Sequence, residues 1–378
     1  MFLLGSRLRI DGEGALASMR EMRGVILFLL FFLMGCATPV YQVPSLDEEA
    51  VAAEADAQRR AVFDERMARR GRVYDLAWPV LESNTELCEN VDPSIGVVLA
   101  DRKQLAKLSG GLRARDLEAV GIEDGIQLAH VMAGSPASAA GLQSGDRLLT
   151  IDGEAVDGLD AAHKTLKEAV KEGGEVTLTV DRSSTPVSLK GVDRCAVGVK
   201  ISTSHDINAR AGRSDIILYQ GLMSALDDPS LQFVIAHELA HVALNHPRKY
   251  VQNAVATGAL LIGPPVLFGA QLIDAGLSIA KRDVDLSVTD RATHAFLPWA
   301  EEFEAEADYV GAYMFTRAGG QLDDVDVFSQ FGVEVPKSLH ARITHPLVQE
   351  RAIRLRRTAA EIAAKQEAGD PLLPERAD

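Results

Sequence analysis

Apolar and polar residues are arranged along this chain in three ways, and each predicts a different kind of element. Gly125-Ile-Gln-Leu-Ala-His-Val131 and Glu175 to Arg182 read as strands, and Gly145 to Gly153 reads as a strand closed by an Asp-Gly turn. Ser135-Pro136 opens a short helix that runs to Gly141-Leu142, and Asp160 to Glu172 predicts a longer one that Gly173-Gly174 ends. Farther on, Leu231, Val234, Ile235, Leu239 and Val242 recur at helical spacing behind an Asp228-Pro229 start, which predicts a buried helix preceded by a strand from Asp215 to Tyr219. A further helix is predicted between Pro298 and Gly319-Gly320. The third arrangement is the uninterrupted apolar run. Val25 to Met34 is too short for a comfortable membrane span, and Ala254 to Ile273, which carries no charge, is divided by Gly263-Pro264-Pro265 into two short arms. That pair of arms suits a hairpin at a membrane surface, a lid, or a hairpin buried in the protein.

Chemistry enters where the buried helix is interrupted. Its apolar stripe is broken by His237 and His241, with Glu238 between them, in the order His-Glu-Leu-Ala-His. Positions i and i+4 stand one above the other on a helix, so both imidazoles can reach one tetrahedral Zn²⁺. Glu238 is then placed to act as general base on a water at that metal. Two imidazoles and a carboxylate in an apolar helix are costly without a metal to satisfy them.

A third ligand must come from elsewhere. His246 lies nine residues after His237, half a circumference away on a continued helix, and suits a helix terminus better than the metal. Glu304 and Asp308 lie four apart on the helix after Pro298. There Glu304 can bind zinc while Asp308 orients a ligating histidine through its other ring nitrogen. The other reading of that stretch is a solvated acidic face, since Glu301, Glu302 and Glu306 share it.

Three motifs in one order, His237 to His241, Glu304 to Asp308, then Thr344-His345-Pro346 followed by Arg351, resemble the HtpX, BepA and CAAX-prenyl-protease family of membrane-linked zinc endopeptidases, over about residues 195 to 355. The resemblance implies a gluzincin-type peptidase holding one zinc per chain through His237, His241 and Glu304, with Glu238 as catalytic base and Asp308 beside a ligand. It further implies that His345 acts as a fourth ligand at rest or as a donor to the oxyanion. Many relatives carry Ser-Arg where this chain has Ala300-Glu301, so no role for that arginine is carried over.

Residues 135 to 153, Ser-Pro-Ala-Ser-Ala-Ala-Gly-Leu followed by Gly-Asp-Arg-Leu-Leu-Thr-Ile-Asp-Gly, resemble a PDZ domain of the bacterial protease type, over about 108 to 191. This implies capture of peptide C-termini as an added strand, with Val120-Gly121-Ile122 as the carboxylate-binding stretch. The strand Asp215 to Tyr219 can pair with an extended substrate.

The N-terminus supplies an address. Arg20 and Arg23 precede the first apolar run, which ends in Leu33-Met-Gly-Cys36, resembling a bacterial lipobox. Alanine after Cys36 suggests sorting to the outer membrane, with the protein on its periplasmic face. In that compartment disulfides persist, so Cys88 and Cys195, which flank the PDZ segment, are either bridged or buried as free thiols, and their geometry decides. A net charge of −15 without a basic stripe excludes nucleic acid as a partner.

The expected architecture is α+β: a mainly helical peptidase domain with a small sheet, plus a β-barrel-like PDZ domain. The expected divisions are signal peptide 1–36, tether and helical spacer 37–71, the peptidase's N-terminal part 72–107, PDZ 108–191, peptidase 192–355 and a charged helical tail 356–378. The expected activity is cleavage of misfolded or misassembled envelope proteins. Two alternatives are weighed against it. An intramembrane zinc protease would place its zinc helix before the PDZ segment and inside the membrane, whereas here the helix follows and its flanks carry Asp227, Asp228, Arg248 and Lys249. A chaperone-like lipoprotein scaffold with low proteolytic activity would not need Glu238.

Overall fold

The computed structural model describes residues 41 to 376 except 42, 111, 257–299 and 326–347. Cys36, the uncharged stretch beyond residue 256 and His345 therefore lie outside the described residues. The chain divides into two compact units, Met1–Glu54 and Ala55–Asp378, and the second contains every contact discussed below. Among the described residues no helix is long and apolar enough to cross a membrane.

In chain order the elements are α1 (Glu48–Glu82), β1 (Val91–Ser94), β2 (Val97–Ala100), α2 (Arg102–Leu108), α3 (Ala114–Ala119), β3 (Ile126–Val131), α4 (Pro136–Ala139), β4 (Arg147–Ile151), β5 (Glu154–Ala155), α5 (Leu159–Ala169), β6 (Glu175–Val180) and β7 (Ser183–Lys190). They continue with β8 (Val192–Cys195), β9 (Gly198–Ser202), β10 (Ala209–Ala211), β11 (Asp215–Tyr219), α6 (Gln220–Ala225), α7 (Asp228–Ala243), α8 (His246–Ala256), α9 (Ala300–Arg317) and α10 (Val348–Ala368). The fold is α+β.

The PDZ module is an antiparallel sheet in the order β2-β3-β4-β6-β7, with β5 added to β4. Ile95, Leu99, Leu128, Ile151 and Leu178 form its core on the face that α5 covers. The sheet begins upstream of residue 108, because α2 and α3 are inserted between its first strand and β3. The other face of β2 and β3 is covered by those two helices and by α1, where Phe63 and Met67 meet Leu105, Leu117, Val120 and Ile122.

Helix α1 joins the two modules. Its middle packs on the PDZ sheet, while Val73, Ala77, Val80 and Leu81 enter the core around α7 and α9. Three arginines on it reach PDZ backbone carbonyls: Arg60 to Val120, Arg66 to Ser109 and Gly110, and Arg70 to Leu108. These carbonyls close α2 and α3, the ends where a helix dipole is negative and a cation is stabilising. His130 of β3 sits over Gly71, where a Cβ would come within 2.7 Å of the ring, and bonds Asp75 at 2.8 Å.

The base of the PDZ module is pinned twice. β1 pairs antiparallel with β8, Val91 opposite Cys195, and Cys88 is disulfide-bonded to Cys195 with the Cα atoms 5.7 Å apart.

In the second module β11 is the middle strand of three, antiparallel to β10 and parallel to β9. Its backbone groups are already paired on both sides. The expectation that Asp215 to Tyr219 pairs with substrate is therefore corrected, and among the described residues the edges of this sheet are β9 and β10. Below it α7 is buried through Leu231, Phe233, Ile235 and Leu239 and crosses α9. The cap of α7 is Asp227, one residue earlier than expected, whose carboxylate accepts from the Ser230 amide at 3.0 Å.

Candidate metal centre

Helices α7 and α9 cross in close contact, and a glycine allows it. A Cβ on Gly311 would lie 2.9 Å from the His237 Cα, so only hydrogen fits there. One and two turns before that crossing, α9 carries Asp308 and Glu304, both buried, toward the histidines of α7.

His237, His241 and Glu304 converge, with one donor atom from each inside a 4.8 Å span. The two Nε2 atoms are 3.1 Å apart, His237 Nε2 lies 3.4 Å from Glu304 Oε2, and His241 Nε2 lies 3.2 Å from Glu304 Oε1. A tetrahedral zinc bound at 2.0–2.1 Å separates its ligand atoms by about 3.3 Å. Two imidazoles and a carboxylate are also the donor set of a catalytic rather than a structural zinc site, because one position stays open. The residues present therefore fit the metal.

The surroundings orient the donors. His237 Nδ1 lies 3.0 Å from Asp308 Oδ1, and Arg351 of α10 holds Asp308 from the other side with two bonds, at 2.7 and 2.6 Å. Burial raises the Asp308 carboxyl, but the Arg351 charge and hydrogen bond outweigh it and bring the group down to about 2. Burial likewise pushes the His237 imidazole down, yet the hydrogen bonds to Asp308 and Glu304 overcome this and raise it to about 10 in the metal-free chain. Glu238 is buried on the same turn of α7, within electrostatic reach of Arg351 and Tyr250.

Two features went unforeseen. Arg351 was singled out without a role, and it is the partner of Asp308. His246 was placed at a helix end away from the metal, and it does begin α8, but Asn245 in the left-handed region (φ +57°) turns the chain back. His246 is thereby fully buried, with its Nδ1 2.8 Å from the Nδ1 of His241 and its Nε2 2.9 Å from Glu306. Burial, followed by the neighbouring His241, pushes its imidazole down to about 3. The signal available in the sequence was Asn245 ahead of Pro247, since asparagine tolerates the left-handed conformation and proline suits the first turn of a new helix.

Gly121 and Ile122 of the expected carboxylate-binding stretch line a cavity with Phe63 and Met67 of α1, Gln127 and Arg147. Val120 and Ile122 are buried under Phe63 and Met67 of α1, and Arg60 occupies the Val120 carbonyl. Among the described residues the edge strands of the PDZ sheet are β2 and β7, and β2 is preceded by the turn at Gly96 (φ +78°) and flanked by α5.

Residues 180–359 match the profile of Peptidase family M48, and residues 93–190 match that of the PDZ domain. The chain is 39% identical over 67 residues to metalloprotease LoiP of Escherichia coli (strain K12), covering 18% of this chain and 27% of that protein. It is 32% identical over 144 residues to human Syntenin-1, covering 37% and 45%. The chain thus spans less than half the length of either relative. A solved structure, HtrA-type protease AlgW with decapeptide, matches at 23% identity and a TM-score of 0.20 over 27% of this chain and 29% of that one.

Proposed function

We propose that this chain, which carries a peptidase family M48 domain and a PDZ domain, is a zinc-dependent endopeptidase of the bacterial envelope. The observation that carries the reading is the convergence of His237, His241 and Glu304 at the edge lengths of a zinc tetrahedron, with Glu238 buried beside them.

Zinc, when bound, supplies Lewis acidity toward a carbonyl oxygen and acidifies water. The protein residues do the rest. Glu238 accepts the proton of the attacking water and returns it to the departing amine. Asp308, itself fixed by Arg351, holds the His237 ring with Nε2 toward His241 and Glu304, where the three would hold the metal. His345 is assigned to the resting metal or the oxyanion on the strength of the family resemblance.

An extended polypeptide can add itself to a sheet through backbone hydrogen bonds alone, so an enzyme that reads strands tolerates many sequences. β10, an edge strand among the described residues, packs against the helix that carries His237 and His241 and offers such an edge. The PDZ domain offers a second site, for a peptide C-terminus, with the cavity lined by Gly121, Ile122, Gln127 and Arg147 to receive it. Substrates are unfolded or misassembled envelope proteins, and lipid on Cys36 holds the enzyme at the periplasmic face of the outer membrane.

The test is substrate trapping. Expressed in its own envelope, the Glu238→Gln chain should retain uncut polypeptides identifiable by mass spectrometry, enriched in envelope proteins. The same capture by a Glu304→Ala chain would show that retention owes nothing to the metal site. A Cys36→Ser form should leave the membrane fraction, and its persistence there would remove the lipid anchor from the account.

A further inference from the structure

We propose that His246 and Glu306 are positioning residues for the metal ligand His241, together selecting the ring tautomer that presents Nε2 to zinc. The inference rests on the zinc-site reading above and adds two residues to it.

The argument starts from hydrogen-bond polarity. The Nδ1 atoms of His241 and His246 are 2.8 Å apart, and a bond between two ring nitrogens needs one N–H and one lone pair. His246 Nε2 lies 2.9 Å from Glu306 Oε2, and an ionised carboxylate can only accept. The proton of a neutral His246 is therefore on Nε2, which leaves its Nδ1 bare. His241 must then donate from Nδ1, and its own lone pair is on Nε2. That is the nitrogen 3.1 Å from His237 Nε2 and 3.2 Å from Glu304 Oε1. The half-exposed carboxylate thus sets the tautomer at the buried ligand through one intervening ring.

His246 is built to hold this polarity. Its ring stacks on Phe303, with centroids 4.6 Å apart and planes 24° apart, and it is fully buried. The left-handed turn at Asn245 brings it back under α7. Helix α9 then serves each imidazole with its own carboxylate: Asp308 touches His237 directly, and Glu306 reaches His241 through His246. Partners of this kind change metal affinity on mutation by about 10–100-fold.

The experiment measures zinc affinity by chelator competition on the full chain and on three variants. His246→Phe keeps an aromatic ring against Phe303 but removes the acceptor, and should bind zinc about 10–100-fold more weakly. His246→Gln can accept from His241 and donate to Glu306, and should recover most of that loss. Glu306→Met, at a half-exposed site that tolerates change, should weaken zinc in the same direction even if His246→Phe does not fold. Affinity within about twofold of the unmodified chain in Glu306→Met would overturn the relay, as would equal losses in His246→Phe and His246→Gln. The affinity of the unmodified chain tests the zinc site, and the ratio of variant to unmodified chain tests the relay, so the two fail separately.

Discussion

Gly311 of α9 faces the backbone of His237 so closely that a Cβ would stand 2.9 Å from the His237 Cα. No donor atom is involved in that contact, yet it sets the distance from which Glu304 and Asp308 approach the histidines. Gly311→Ala should cost about 1–3 kcal/mol through overpacking. It should also weaken zinc binding, although every ligand is retained. Thermal melts with and without zinc check both effects. An alanine variant with undiminished affinity would show that the crossing gives way without moving the donors.

Glu304 and Glu306 are separated by one residue but differ in task. Glu304→Ala removes a donor atom from the convergent group and should leave the purified protein without stoichiometric zinc, whereas Glu306→Ala should only weaken binding. Elemental analysis after dialysis against a weak chelator distinguishes them. Equal zinc content in both would reassign the third ligand.

The raised His237 imidazole carries a pH signature. Its folded value in the metal-free chain is about 10 against an ordinary 6.5. The stability contributed by that proton is therefore fully present below about pH 6.5 and is lost as pH rises through about 10. Zinc must displace the same proton, so apparent zinc affinity should rise up to about tenfold per pH unit between about pH 7 and 9. Melting temperature of the metal-free chain should fall across that window while the zinc-loaded chain is spared this loss. An affinity independent of pH there would mean that His237 is already deprotonated without metal.

The Cys88–Cys195 bridge closes a loop of 107 residues around the PDZ module. On the chain-entropy argument such a loop stabilises by up to about 4–5 kcal/mol. Cys88→Ser should lower the melting temperature and leave zinc content unchanged, because neither cysteine is near the ligands in sequence or role. Loss of zinc in that variant would tie the bridge to the metal site itself.

Parts of this architecture were legible because they are local. Helix periodicity alone puts His237 over His241, and Glu304 over Asp308, whatever surrounds them. Of the strands in the PDZ module, β3, β4 and β6 are likewise legible, because turn residues and alternation agree there, whereas β5 and β7 are not. What was not legible depends on partners distant in the chain. The strand Asp215 to Tyr219 was found, but its central place between β9 and β10 is a matter of pairing order that no local pattern carries. Val97 to Ala100 was separated from its sheet by two short helices and passed unnoticed. His246 was misplaced by extending α7 through Asn245, where one left-handed residue redirects the chain.

The central claim is that a buried carboxylate beside a three-ligand zinc site cuts polypeptide. It is tested most directly by incubating an unfolded protein with the purified, zinc-loaded chain and with the Glu238→Gln variant loaded to the same zinc content, and following fragments by mass spectrometry. The account predicts internal cleavage by the unmodified chain and a rate lower by about 10²–10⁴-fold in the variant. Cleavage at equal rates by both, or an intact substrate with the zinc-loaded unmodified chain, would contradict it.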